Sequence, residues 1–409
     1  MKTSNTRNCI IVLVIVIIVY YTVQSQAMPG FARRYKFTCQ TCHAPFPKLK
    51  PYGEEFAANG FRLAEGEPSY ATIDTGDPSL ELTRNFPIGI RLDAYAVADK
   101  DNTVSNDLQM PYILKLISGG PIAQNLSYYF YFFFSEKGEV VGIEDAFLYY
   151  TDLLGAGINI TAGQFSVSDP IYKNELRLTY ESYVPFAAKP NRSLCDLKYD
   201  RGIIIDKGFD FGLTLVVEIV NGNGIEPANE HDNFDGDKYK NYFFRASQEI
   251  FDVIRIGGFS YIGKEKNTAD DTVPDVFTNS VYYYGSDMSI FLGPFELNTL
   301  FLYRKDSNAY FTADKKSIAT KGYMAELIFQ PEGDRSSYVL TALYNKVDSD
   351  YQEGGVHTLN YESATISATY LFARNVKIIG EYTYLLHDYS QSQDYKNHHK
   401  LKAGISAAF

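Results

Sequence analysis

From about Phe86 to the end of the chain, apolar and polar residues alternate, the repeat of strands with two unlike faces. The last segment is the clearest. Leu401, Ala403, Ile405, Ala407 and Phe409 share one face, and Lys400, Lys402, Gly404, Ser406 and Ala408 share the other. Tyr323, Ala325, Leu327 and Phe329 alternate with Met324, Glu326, Ile328 and Gln330. Phe295, Leu297, Thr299, Phe301 and Tyr303 alternate with Glu296, Asn298 and Arg304. Such runs number about 16, an even count of the kind single-chain bacterial membrane barrels have.

The spacing also predicts connections that alternate in length. Short turns are expected at Ser118–Ala123, Asp206–Gly208, Gly293–Pro294, Pro331–Arg335 and Phe372–Asn375. Longer polar loops are expected at Asp99–Asp107, Asp169–Asp200, Asn221–Lys240, Lys264–Val276, Lys305–Lys321, Lys346–Thr358 and Asp388–Lys396. Membrane barrels have short periplasmic turns and long outer loops. A soluble sandwich or propeller would bury one face of each strand, but it accounts neither for this alternation nor for a terminal Phe in the apolar phase. The fold expected is therefore mainly β. It is an antiparallel transmembrane barrel of about 16 strands over residues 81–409, set in the outer membrane with lipid around it. Asp169–Asp200 is the longest loop and, by analogy with barrels of this size, is expected to fold inward. It carries Cys195, which is solitary in sequence and reads as an inert thiol.

Ahead of the barrel the pattern changes twice. Residues 1–27 read as a secretory signal peptide, with Lys2 and Arg7, then an apolar run from Ile10 to Tyr21, then Ser25-Gln26-Ala27. The run is shorter than the ~20 residues a spanning helix needs, which disfavours an uncleaved anchor. Residues 28–80 read as a small module and linker. Lys48 to Asn59 can form a short helix with Leu49, Tyr52 and Phe56 on one face, Pro51 in its first turn and Gly60 at its end.

That module holds the candidate chemistry. Cys39-Gln40-Thr41-Cys42-His43 is a Cys-x-x-Cys-His pattern. Its spacing suits two thiols that add to the vinyl groups of one haem c, with the adjacent imidazole of His43 as an axial iron ligand. A zinc site would need a second Cys/His pair nearby, and a thioredoxin-like redox pair would sit in a βαβ pattern; neither is present. Export fits, since c-type haem is attached outside the cytoplasm. The second axial position stays open among Met28, Met110, Met288, Met324, His231, His357, His387, His398 and His399. No catalytic acid, base or nucleophile is indicated.

Composition narrows the partners. The 409 residues are 45% apolar and 21% charged, which excludes a disordered chain, and 4 Cys exclude a disulfide-rich scaffold. A net charge of −11 argues against nucleic acid, whose phosphates need a basic face, and favours cations. Glu226, Glu230, His231, Asp232, Asp235 and Asp237, or Asp348, Asp350 and Glu353, could concentrate cations at the loops; equally they are solvated loop residues. Tyr 34 and Phe 28 suit interfacial girdles, although Trp 0 is unusual there.

Pro29-Gly30-Phe31-Ala32-Arg33, Cys39-x-x-Cys42-His43, Phe46-Pro47-x-Leu49, Tyr52-Gly53, Phe56 and Asn59-Gly60-Phe61-x-Leu63 together resemble the fused monohaem cytochrome–porins, the outer-membrane iron oxidases of iron-oxidising bacteria. Glu54 and Ala57 stand where that family usually has basic residues. The resemblance implies an electron-transfer protein that takes electrons from extracellular Fe(II) and passes them through one covalent haem to a periplasmic c-type cytochrome. If it is an enzyme, it is an Fe(II) oxidase. The competing readings are a solute channel with a haem plug or sensor, and an electron conduit for another donor.

Overall fold

The structure, a computed structural model, describes residues 30–64, 66, 68, 70–77, 80, 82–84, 87–99, 106–267, 275–388 and 395–409. The expected signal peptide and Met28 lie outside these residues. Three short helices come first: α1 (Gly30–Tyr35), α2 (Cys39–Cys42) and α3 (Pro51–Ala58). A two-stranded ribbon, β1 (Thr72–Ile73) and β2 (Leu82–Thr83), links them to the barrel.

Sixteen strands among the described residues then close on themselves. They are β3 (Ile88–Asp99), β4 (Asn106–Ala123), β5 (Leu126–Glu136), β6 (Gly142–Tyr150), β7 (Asn159–Ser166), β8 (Tyr199–Gly208), β9 (Leu213–Val220) and β10 (Asn241–Ile250), followed by β11 (Ile254–Lys266), β12 (Thr278–Leu292), β13 (Phe295–Asp306), β14 (Ile318–Phe329), β15 (Tyr338–Ser349), β16 (Tyr361–Ala373), β17 (Val376–Asp388) and β18 (Tyr395–Ala408). Each pairs antiparallel with the next, and β18 returns to β3 from Lys400↔Asp99 to Ala408↔Arg91. Closure leaves no sheet edge, so every strand bonds on both sides, as a structure in hydrocarbon requires.

The phases of the alternation are those read from the sequence. Leu401, Ile405, Tyr323, Leu327 and Phe295 are exposed on the outside, while Lys402, Ser406, Glu326 and Arg304 are buried in the lumen. Apolar side chains in such number facing outward would be a liability in water and are the lipid contact of a membrane barrel. Rings gather along the outer face, with Tyr284 on Tyr303 and Phe295 on Phe329, each pair 4.9 Å apart. The chain is an outer-membrane β-barrel.

Two expected turns are strand instead. Ser118–Ala123 is the end of β4, and the turn lies beyond it at 124–125. A Cβ on Gly119 would come within 3.0 Å of the Tyr129 ring and 3.1 Å of the Phe31 ring, and Gly120 has a φ of +151°. Asp206–Gly208 closes β8, still in register with β9 from Asp206↔Val216 to Gly208↔Thr214; the chain reverses at Phe209–Gly212, where Gly212 has a φ of +88°.

The segment 167–198, between β7 and β8, crosses the lumen. It contains only two single turns of 3-10 helix, Asn174–Leu176 and Val184–Ala187. It is fastened to the far wall: Tyr183 Oη donates to both carboxylate oxygens of Glu326 (3.1 and 3.0 Å), Asn345 Nδ2 donates to the Ser182 carbonyl (2.9 Å), and Glu181 N donates to Glu381 (3.0 Å). Cys195 is free and buried here, where burial holds its thiol well above the usual range; its Sγ donates to the Gly222 carbonyl.

Candidate functional site

The N-terminal helices sit in one mouth of the barrel, and all their wall contacts are at the short-turn rim. Lys48 pairs with Glu296 at the start of β13 (2.8 Å). Gln330 Nε2, just past β14, donates to the Ala44 carbonyl (2.7 Å), and Tyr149 Oη, near the end of β6, donates to the Ala58 carbonyl (2.8 Å). Arg33 donates to the Ile88 carbonyl and Arg62 to the Ala123 carbonyl. Gly30 lies so close to Pro87 that a Cβ would meet its backbone at 2.4 Å. The module is a plug in the periplasmic opening.

Its local structure follows from a few residues. α2 is one turn, closed by His43 N donating to the Cys39 carbonyl (3.0 Å). The chain then doubles back through Pro45 and Pro47, with Lys50 N donating to the Cys42 carbonyl (2.8 Å). α3 begins on Pro51, where a missing N–H costs nothing, and stops at Asn59; Gly60 follows with a φ of +67°. Leu49 therefore precedes the helix, and Tyr52 is largely exposed although its ring meets Phe37; only Phe56 of the expected trio is buried. Gly53 packs α3 tightly against α2: a Cβ there would lie 2.4 Å from the Cys42 carbonyl oxygen. Phe31, Tyr35, Phe56 and Phe61 form a ring cluster at 5.3–5.4 Å between neighbours, and Phe61 stacks on Tyr129 of β5 at 5.2 Å.

Cys39, Cys42 and His43 open on a mostly apolar cavity of about 280 Å³. Phe46, Phe56 and Phe61 line it from the plug; Ile90, Arg91, Lys115, Ile117, Tyr129, Tyr131 and Ala408 line it from the wall; Lys173, Glu175 and Leu176 roof it from segment 167–198. The sequence brought the first three together; the wall and roof residues were not legible there.

The donor set fits the group the motif implies. Both thiols are free, and burial pushes both up, Cys42 to about 11 with the neighbouring Cys39 adding to the rise. His43 Nδ1 lies 3.1 Å from the Pro47 carbonyl and 3.3 Å from the Lys48 carbonyl. Carbonyls only accept, so Nδ1 carries the proton and Nε2 is left bare. Burial lowers the imidazole's pKa, against those two bonds, and keeps the ring neutral. That is the orientation and tautomer a metal-bound imidazole has. None of Met110, Met288, Met324, His231, His357, His387, His398 or His399 lines the cavity.

The roof and wall are charged but paired. Lys115 holds Glu175 at 2.7 Å and lies 4.1 Å above the Tyr131 ring; Lys173 holds Asp169 at 2.8 Å and Asp145 at 3.4 Å. Burial would raise Glu175, yet Lys115 and Arg177 outweigh it and bring its carboxyl to about 2. At the outer loops, Asp235 pairs with Lys240 and donors from the backbone turn onto Asp235 and Asp237. Among the described residues no group of three His, Cys, Asp or Glu side chains is placed to hold a metal ion.

No protein-family model matches this chain, and no curated protein sequence matches it. Solved structures do. An anion-selective porin from Comamonas acidovorans superposes with a TM-score of 0.55 at 10% identity, over 79% of this chain and 98% of that one. The outer membrane channel DcaP of Acinetobacter baumannii gives 0.55 at 13% identity, over 80% and 97%. OmpF of Salmonella typhi gives 0.54 at 13% identity, over 83% and 100%. At such identities the likeness is one of fold: this chain has the architecture of the outer-membrane porins.

Proposed function

We propose that this barrel is an electron-transfer protein of the outer membrane, with one haem c held by Cys39, Cys42 and His43 in the plug. Extracellular Fe(II) is the donor and a periplasmic c-type cytochrome the acceptor. The observation that carries the reading is that the Cys-x-x-Cys-His turn faces a largely apolar cavity enclosed by plug, wall and roof, with His43 Nε2 unprotonated.

When bound, haem supplies a one-electron carrier. The rest is the chain's own work. Cys39 and Cys42 would hold the group, His43 would supply a ring nitrogen to its iron, and the Pro47 and Lys48 carbonyls hold that ring in place. Segment 167–198, pinned to β14, β15 and β17, keeps solutes from the cavity, so an electron rather than a metal ion crosses the roof. Each Fe(II) outside gives up one electron and stays outside as Fe(III), which suits an ion that is poorly soluble near neutral pH once oxidised. The acidic outer loops raise the local concentration of the cation.

Purified protein in detergent tests this. A covalent haem band on a denaturing gel, lost in Cys39→Ser/Cys42→Ser, and haem reduction by Fe(II) within seconds are expected; a haem that Fe(II) leaves oxidised overturns the iron reading. A solute channel with the same plug is the second reading, favoured by the porin architecture. Conductance in a planar bilayer separates the two.

A further inference from the structure

We propose that Lys377, backed by Arg91 and Lys115, seats the carboxylate side chains of the porphyrin; this rests on the haem reading above. Lys377 is the second residue of β17, on its inner face, and its side chain is 1% exposed. Its Nζ lies 5.0 Å from the centre of the Phe46 ring, which lines the cavity. Among the described residues it has no hydrogen bond and no ion pair.

The neighbours explain why. The register sets Lys377 opposite Ser406, Ser406 opposite Asp93, and Arg91 opposite Lys115, so one wall of four adjacent strands carries all of them inward. Asp93 is already taken, by Arg91 Nε and Nη2 (3.1 and 2.7 Å) and by Ser406 Oγ. Glu175 is taken by Lys115. Arg177, the other charged group acting on Lys377, is a cation that donates to backbone carbonyls and shares Glu175 at 4.0 Å. Four cations thus meet two carboxylates. An ammonium buried without a partner is costly, and the cost is relieved either by loss of its proton or by an anion within reach. The other charged groups of the cavity, Arg91, Lys115, Lys173 and Glu175, are already paired, and the group that Cys39 and Cys42 would tether there bears carboxylates.

The test is a stability cycle on the full-length protein in detergent, with covalent haem measured as pyridine haemochrome throughout. In the haem-bearing protein Lys377→Met lowers the urea midpoint. In the Cys39→Ser/Cys42→Ser background the same substitution raises it, because there it removes a lone buried charge. Resonance Raman gives a second reading: the propionate bending modes move in Lys377→Met and return in Lys377→Arg. Equal midpoint shifts in both backgrounds, with unmoved propionate modes and haem still attached, overturn the proposal alone. Chloride that raises the haem-free midpoint only when Lys377 is present, with propionate modes insensitive to residue 377, overturns it in favour of a small inorganic anion. A wild-type protein with no covalent haem overturns the haem reading itself, and this proposal with it.

Discussion

Gly53 shows how tightly the plug is built around its motif. The carbonyl of Cys42 occupies the space a side chain would need, and that carbonyl is itself bonded to Lys50 N. Backbone cannot swing aside as a flexible side chain can. Gly53→Ala therefore displaces α3 from α2, at about 1–3 kcal/mol, the range for overpacking a filled site. The urea midpoint should fall and covalent haem per barrel should drop; full haem loading at an unchanged midpoint contradicts the packing described. That Cys39, Cys42 and His43 face one cavity was legible because they are neighbours in sequence. Lys377, Arg91 and Lys115 were not: an inward charge at one strand end looks like an inward charge at any other until the register brings them to one wall.

At the scale of elements, period-two reading gave the phases of β13, β14 and β18 correctly because lipid on one side and lumen on the other enforce them. It failed at Ser118–Ala123, where glycines and a proline resemble a turn. Gly119 is small because the strand runs against Phe31 of the plug, a contact some 90 residues away in sequence, and Gly120 because its φ is +151°. The inward course of 167–198 was expected by analogy; its fastening through Tyr183, Ser182 and Glu181 to three separate strands had no sequence signal. One of its anchors is sensitive to acid. Glu175 titrates near 2 when docked, against about 4.3 in an unfolded chain. A depressed carboxylate stabilises the docked form above the unfolded value, and the contribution is lost as pH falls from about 4.3 through 2. Cutting by pepsin within 167–198 should therefore accelerate steeply below pH 4 in the wild type. In Glu175→Gln it should be faster at pH 4 and rise less on further acidification; equal profiles for the two proteins would show that the pair does not hold the loop.

The whole molecule is a porin wall with its lumen filled twice, by the plug below and by 167–198 across the middle. Ion current at fixed salt and voltage should be far below that of a porin with an unobstructed lumen recorded beside it. A comparable current would favour solute passage over electron passage. The sequence supplied both parts, barrel and motif, but left open whether one sat inside the other; that depends on Gln330, Tyr149 and Glu296, each a rim residue that meets the plug from a different strand. The joint between β3 and β18 has a consequence for the order in which the protein is made. The first wall strand starts at Ile88, after the plug and its ribbon, and its partner is β18, the sixteenth strand of the wall. The ring of strands cannot be completed until β18 has paired with β3, and the plug lies ahead of all sixteen strands in the chain. On the haem reading proposed above, joining porphyrin to Cys39 and Cys42 needs both sulfurs in the open and so precedes the pairing of β18 with β3.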